Sequence, residues 1–530
     1  MRRFHSYGPV NEKRHFAVPR KALVKTCFES LVGDSEEGGH YFTIWAPRQT
    51  GKTWLMRQVK KEIENHYGDR FIVGTMSVQG VVIKEGDPDE IFLKKVPQLV
   101  WETFKIDMHS PPESWENLKD LFSQRKDIFN RPVILFIDEF DSLPPKVIDR
   151  LVTLFRDMYL KHDSYMLHGL ALIGVRAVLG VESLRGSPFN IQRSLHVPNF
   201  SREEVEELYQ QYQNESGQTI EPGVVENVFE STRGQPGLVS WFGELLTEKY
   251  NPGKGNVLDV AIWDHVFEAA LHKEWNNTIL NLIKKAQGMY ANYVVELFSK
   301  SDMPFNIRTD WCSYLYLNGI IDENSIIDSM GRRKFVCRFA SPFVQACLYN
   351  AMTYDLIGDR TPILVLDPLD DLSDIFERQA LNLPPLLRRY IDYLDRLKIR
   401  GLNPWKEQPR RADLHLTEAV GHFHLYAWLK EAIGRRCVIS PEFPTGNGKV
   451  DLHLRCNEKQ GIIEVKSFVD FSELKRSRKQ AAEYAGSLEL DEVTIALFVP
   501  VTEEDVLEKL SGEHEIDGIK VQVKAIGWEI

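Results

Sequence analysis

At 530 residues the chain is too long for one hydrophobic core, and about three or four domains are expected. Hydrophobic residues at 43% and charged residues at 27% are ordinary for a globular protein, and apolar runs such as VILFI fall well short of the roughly 20 residues a membrane-crossing helix needs. A net charge of −11 excludes a global attraction to nucleic acid, so any such contact has to come from local basic patches. The opening MRRFHSYGPV has basic residues with no apolar stretch behind them, so no secretory signal is expected. Six cysteines without a CxxC pair or metal spacing suit a reducing, cytoplasmic setting and argue against a disulfide framework or a zinc ribbon.

After a lead-in over residues 1–40, residues 41–200 alternate short apolar runs with longer amphipathic stretches, the pattern of an α/β domain with a largely parallel sheet. The expected strands are YFTIWA, FIVGTMSV, PVILFID, LALIGVR and RSLHVP. Directly after the first stands Ala46-Pro47-Arg48-Gln49-Thr50-Gly51-Lys52-Thr53, which opens a helical stretch, WLMRQVKKEI. This is the Walker A pattern with Ala in place of its first Gly. Its chemistry needs successive backbone N–H groups curled around a phosphate at a helix N-terminus, here from Arg48 to Gly51. Lys52 then reaches the β/γ oxygens of ATP and the Thr53 hydroxyl ligates Mg²⁺. PVILFIDEF ends in two carboxylates: Asp138 to hold Mg²⁺ through water, and Glu139 to polarise the attacking water. Arg176, closing LALIGVR, stands where a sensor of the γ-phosphate could sit, or is simply a surface arginine after a strand.

Residues 201–275 read as helical, opening at SREEVEELYQQYQNE with a Ser cap followed by Glu203 and Glu204. Within them Gly234-Gln235-Pro236, taken alone, is a helix-capping turn. The segments YGPVNEKRHFAVPR, YFTIWAPRQTGKT, ILFIDEFDSL, ALIGVR and TRGQPGLV together resemble the AAA-like ATPases related to the STAND class, over about residues 4–250. The resemblance implies an ATPase core with a helical lid, family roles for Lys52, Thr53, Asp138, Glu139 and Arg176, and Pro236 against the adenine. His15 and Pro19 match the lead-in by resemblance alone. Such proteins often use ATP as a conformational switch and turn over slowly.

Residues 276–355 read as short helices and a strand pair around NSIIDSMGRRKFVCRF, which fits a winged helix. Arg332, Arg333 and Lys334 would form its turn, either a wing on DNA or part of a packing module. WCSYLY is most simply helix core. Residues 356–400, containing TPILVLDPLDDLSD, read as linker and helix.

Residues 401–530 return to α/β character. KVDLHLR and GIIEVKSF look like adjacent strands carrying Asp451 on the first, and Glu464 and Lys466 on one face of the second. The carboxylates could hold one or two Mg²⁺ ions, with Mn²⁺ as a substitute, and Lys466 could activate the attacking water. A second Glu-x-Lys match, Glu473-Leu474-Lys475, lies in an expected helix, where residues two apart do not share a face. About residues 400–500 resemble the PD-(D/E)xK nuclease-like domain found behind AAA-like ATPases. The resemblance adds a carboxylate, Glu418, on the helix LTEAVGHFHLYAWLKEAI, read as amphipathic, and a Gln-xxx-Tyr element at Gln480 and Tyr484. Val450 replaces the family's Pro, and Glu442 is an alternative acidic partner. Lys475, Arg476, Arg478 and Lys479 could neutralise phosphates or form a solvated helix face.

The expected fold is therefore α/β and multidomain: a P-loop NTPase sheet with helical lid, a winged-helix-like domain, and a restriction-endonuclease-like domain. The expected function is an ATP-controlled, metal-dependent nuclease, with DNA favoured over RNA, no membrane partner and self-assembly open. By analogy of architecture, defence or mobile-element control would use such a design. Two alternatives stand beside it: a non-cleaving regulatory ATPase whose C-terminal domain binds nucleic acid or protein, and a DNA-remodelling ATPase.

Overall fold

The computed structural model describes residues 1–84, 87–174, 194–299, 303–327, 332–357, 366, 370–378, 380–405, 418–434, 436–445, 448–456 and 459–528. The chain divides into two compact units: Met1–Thr278 with Tyr316–Ile320 and Ala340–Phe343, and Ile279–Leu315 with Ile321–Phe339 and Val344–Ile530.

The first unit is built on five strands, β1 (Tyr41–Trp45), β2 (Ile72–Ser77), β3 (Val133–Asp138), β4 (Leu167–Gly174) and β5 (Ser194–His196). All pair in parallel, in the order β2-β3-β4-β1-β5. Strand β3 shows why its sequence is an unbroken apolar run: each face is covered. Val133, Leu135 and Ile137 join a core with helices Val96–Phe104 and Pro145–Leu160. Ile134 and Phe136 point the other way, into the core formed with helices Lys21–Val32 and Lys52–Tyr67.

A helical lid follows, Arg202–Ser216, Pro222–Thr232, Pro236–Glu244 and Val260–His272. Its first helix starts at the expected cap: Ser201 Oγ accepts from Glu204 N at 3.2 Å, and Glu204 Oε2 accepts from Ser201 N at 3.0 Å. The lead-in packs on this lid. Phe4 is buried against Phe16, Tyr209 and Tyr212, over Gly243, where a Cβ would come within 2.4 Å of the Phe4 ring. Ser6 donates its N–H and its hydroxyl to the two oxygens of Glu244, each at 2.7 Å.

In the second unit, β6 (Ile321–Ile327) and β7 (Arg333–Phe339) form an antiparallel hairpin. Arg333 and Lys334 are the first residues of β7, not of a turn, because the pairing extends out to Ile327 opposite Arg333. Beyond it lies a six-stranded sheet of β8 (Val438–Thr445), β9 (Gly448–Cys456), β10 (Lys459–Ser467), β11 (Glu492–Val499), β12 (Gly512–Ile516) and β13 (Ile519–Gly527). Its order is β12-β13-β11-β10-β9-β8, with β10, β11 and β13 parallel and the edges antiparallel. Helix Phe471–Ser487 packs Ala481, Ala482 and Ala485 onto the sheet. Glu473 and Lys475 indeed lie on this helix.

Two expectations are corrected here. Helix Glu418–Ile433 is enclosed on nearly all sides, not amphipathic: Ala419 to Tyr426, Trp428, Leu429 and Ile433 are all buried, as its apolar residues are not confined to one stripe. Cys437 and Cys456, expected as free thiols, are joined in a disulfide. Val438 pairs with Arg455 in the β8–β9 hairpin, which brings the two cysteines face to face at its open end. Cys27, Cys312, Cys337 and Cys347 are free and buried. Among the described residues no helix is long and apolar enough to cross a membrane.

Candidate nucleotide site and carboxylate cluster

The loop between β1 and helix Lys52–Tyr67 is held open by two left-handed residues, Gln49 at φ 60° and Gly51 at φ 91°. For Gln49 this conformation is strained, so the surroundings must enforce it. Inside the loop Thr50 Oγ1 donates to Pro47 O at 2.9 Å, and Ala46 N is tied to Gly174 O of β4 at 3.4 Å. Lys52 is half-buried, and its ammonium donates to Ala46 O at 2.8 Å and Pro47 O at 2.7 Å. Burial brings its pKa down to about 8, against the pull of the Glu139, Asp141 and Asp138 carboxylates.

Thr53 Oγ1 donates to Asp138 Oδ2 at 3.1 Å, so the end of β3 and the first turn of the helix bring both expected Mg²⁺ ligands together. A hydroxyl beside a carboxylate is the hard oxygen pair that Mg²⁺ takes, and the donor set fits the ion. An Mg²⁺ ion held there would neutralise charge building on the β- and γ-phosphate oxygens of a bound ATP. Glu139 follows at φ 57°, again left-handed, with its N–H on Asp138 Oδ1 at 3.0 Å. Burial, then the neighbouring Asp138 and Asp141 carboxylates, raise its carboxyl above the usual range, which suits a group handling a proton. Gly174 makes room for Asp141: a Cβ there would lie 2.6 Å from Asp141 Oδ1. Arg176 lies outside the described residues.

The lid reaches the loop directly. Pro236 is buried at the start of its helix; on either side of it Gln235 Nε2 donates to Arg48 O at 3.2 Å and Gly237 N to Gln49 O at 3.1 Å. These lid contacts had no counterpart in the sequence reading.

In the second unit β9 and β10 pair with Leu452 opposite Ile463, which sets Asp451 beside Glu464. Asp451 N donates to Glu464 Oε1 at 3.3 Å, and Val465 N to Asp451 Oδ2 at 2.7 Å. Lys466 Nζ lies 3.3 Å from Asp451, 3.5 Å from Glu464 and 3.2 Å from Glu418. Four of the expected residues thus converge from two strands and one helix. Burial first, then Asp451, push Glu464 up to about 8 against the pull of Lys466, and burial raises Glu418. Burial acts the same way on Asp451, but Lys466, His422 and the Val465 N–H outweigh it and hold its carboxyl low. Lys466, despite burial, is kept firmly charged by the three carboxylates.

Among the described residues no group of three or more His, Cys, Asp or Glu side chains is spaced as a preformed metal shell. The donor chemistry still suits a hard divalent cation, since three carboxyl groups converge there. Gln480 Nε2 donates to Tyr484 Oη at 2.8 Å, and Tyr484 is raised by burial and by Glu464. The side chain of Glu442 lies outside the described residues.

Sequence reasoning missed a support behind Asp451. His422 Nε2 meets Asp451 O at 2.9 Å, and His422 Nδ1 meets Tyr349 Oη at 2.8 Å. A carbonyl can only accept, so Nε2 carries a proton, while Nδ1 and the Tyr349 hydroxyl share the second hydrogen bond. The available signal was spacing: His422 is four residues after Glu418, on the same helix face.

The parallel sheet, the loop around Lys52 and the Thr53–Asp138 pair define a Walker-type P-loop ATPase. Residues 5–282, over half of the chain, match the AAA-like domain family, and the chain belongs to that family. No curated protein matches the sequence. Among solved structures, a Walker-type ATPase of Pyrococcus abyssi is 16% identical, with 65% of this chain and 99% of that one covered and a TM-score of 0.44. The Thermotoga maritima RuvB Holliday junction branch migration motor is 16% identical, over 58% and 90%, at 0.34. The Orc1 protein of Aeropyrum pernix, in complex with DNA, gives 16%, 64%, 93% and 0.33.

Proposed function

We propose that this AAA-like ATPase controls a metal-dependent nuclease site in its own C-terminal sheet. The observation that carries the reading is the meeting of Asp451, Glu464 and Glu418 within 3.5 Å of Lys466 Nζ. The three carboxylates would hold Mg²⁺ or Mn²⁺ against a phosphodiester, which the ion polarises. Lys466 would orient the attacking water and offset charge at phosphorus, and Gln480 would steady Tyr484 at the rim. Lys475, Arg476 and Lys479, exposed on helix Phe471–Ser487, offer contacts to the phosphates of DNA, making binding salt-dependent.

The test is cleavage of plasmid, single-stranded DNA and RNA with Mg²⁺ or Mn²⁺, with and without ATP, beside Asp451→Ala, Lys466→Ala and Lys52→Ala. Cleavage lost in the first two and altered by ATP or by the third supports the reading. A lysine locked among three carboxylates also suits a structural ion cluster in a non-cleaving ATPase switch. Intact ATP binding with no cleavage of any substrate selects that reading instead.

A further inference from the structure

We infer that the first turn of the lid helix presets the phosphate-binding loop, with Gln235 as a positioning residue for ATP. The Gln235 amide is used at both ends: Oε1 accepts from Leu238 N at 2.6 Å, capping the lid helix, and Nε2 donates to Arg48 O at 3.2 Å. Gly237 N donates to the next carbonyl, Gln49 O, at 3.1 Å. A peptide unit is planar and trans, so its C=O and N–H point in opposite directions. Turning the carbonyls of Arg48 and Gln49 toward the lid therefore turns the N–H groups of Gln49 and Thr50 away from it, into the concavity that cradles phosphate.

The approach is close enough to demand glycine. A Cβ at Gly237 would lie 2.4 Å from Gln49 Oε1 and 2.7 Å from Gln49 Cβ. The same turn is braced from behind. Phe200 N donates to Gly234 O at 2.8 Å, and Gly234 takes φ 68°, where a Cβ would strike Phe200 O at 2.0 Å. Arg20 anchors the segment leading into Phe200, donating to Pro198 O at 2.9 Å and Asn199 O at 3.2 Å and pairing with Glu204 at 3.3 Å. The lid thus stabilises the strained left-handed conformation of Gln49. Because coupling between sites is reciprocal, phosphate in the loop must in turn favour this seating of the lid.

Gln235→Glu separates the two ends of the amide: its carboxylate still accepts from Leu238 N but has no donor for Arg48 O. ATP and ADP are expected to bind on the order of tenfold more weakly, with the melting midpoint of the nucleotide-free chain little changed. Hydrogen exchange should show ATP protecting residues 46–51 and 235–245 in the parent, and protection of 235–245 lost in the variant at saturating ATP. Gly237→Ala is an independent arm. Alanine favours a helix over glycine, so a site without the clamp would gain stability and keep its affinity; here affinity should fall by a similar factor. Parent-like nucleotide affinity in either folded variant, with unchanged protection of the lid turn, overturns the inference.

Discussion

The ammonium of Lys52 makes nucleotide affinity depend on pH in a direction opposite to stability. With no nucleotide, burial brings Lys52 to about 8, while an unfolded lysine titrates near 10.5. Between those values the unfolded chain binds more protons than the folded one, so stability of the empty protein should rise with pH across that window. Burying the ammonium is costly, and losing its proton relieves the cost. ATP would reverse the balance if its β/γ oxygens took the place of the Ala46 and Pro47 carbonyls, since they favour the charged form. Binding above pH 8 would then take up a proton.

At pH 9 about one tenth of the empty sites would carry the ammonium, so the Kd for ATP should weaken roughly tenfold between pH 7.5 and 9, or about 1.4 kcal/mol. Calorimetric titration in buffers of different ionisation enthalpy reads both the Kd and the proton uptake, in a range where the γ-phosphate is already ionised. Lys52→Arg is the control: a guanidinium stays charged throughout, so its affinity should be weaker but flat with pH. A flat profile in the parent, or the same slope in the arginine variant, refutes the reasoning.

Three further outcomes follow from the packing. Glu464 sits buried with its carboxyl raised to about 8, so its contribution to metal-free stability is present below about 4.5 and lost as pH rises through 8. Glu464→Gln should stabilise the metal-free chain at pH 8 by a few kcal/mol in denaturant titrations and remove the response to Mg²⁺; equal or lower stability than the parent counts against this account. Tyr349→Phe removes the hydroxyl bonded to His422 Nδ1 and should cost about 1 kcal/mol in the same titration, weakening Mn²⁺ binding while ATP affinity stays put. Phe4→Ala empties a fully buried aromatic site between the lead-in and the lid, at a cost of about 3–5 kcal/mol; limited proteolysis should then cut within residues 1–20, and an uncut lead-in would show that Ser6 and Glu244 suffice to hold it.

The parts of this protein that were legible in its sequence are those whose chemistry requires neighbours in the chain. A phosphate loop needs consecutive N–H groups, so Gly51, Lys52 and Thr53 announce themselves, and a parallel strand covered on both faces must be an apolar run, as β3 is. Asp451, Glu464 and Lys466 were legible for a related reason: apolar alternation on two strands that follow each other in the chain limits their register to steps of two, and the register adopted sets Asp451 beside Glu464. What stayed hidden joins distant segments. Gln235 and Arg48 are 187 residues apart, Tyr349 and His422 73, and Cys437 and Cys456 19 with no motif between them. None of these pairs is marked by a motif, because glutamine is mostly a surface residue, histidine occurs both buried and exposed, and cysteine behaves as a small apolar residue. The distinction has a physical consequence for the ATP site. The groups that touch nucleotide were readable, whereas those that aim them, Gln235 and Gly237 on the loop and Arg20 behind the lid turn, were not. A variant chosen from sequence alone would therefore remove ligands and abolish binding, which tests only that a site exists. Substitutions at Gln235 or Gly237 leave every ligand in place, so they separate how the loop is shaped from what it contacts.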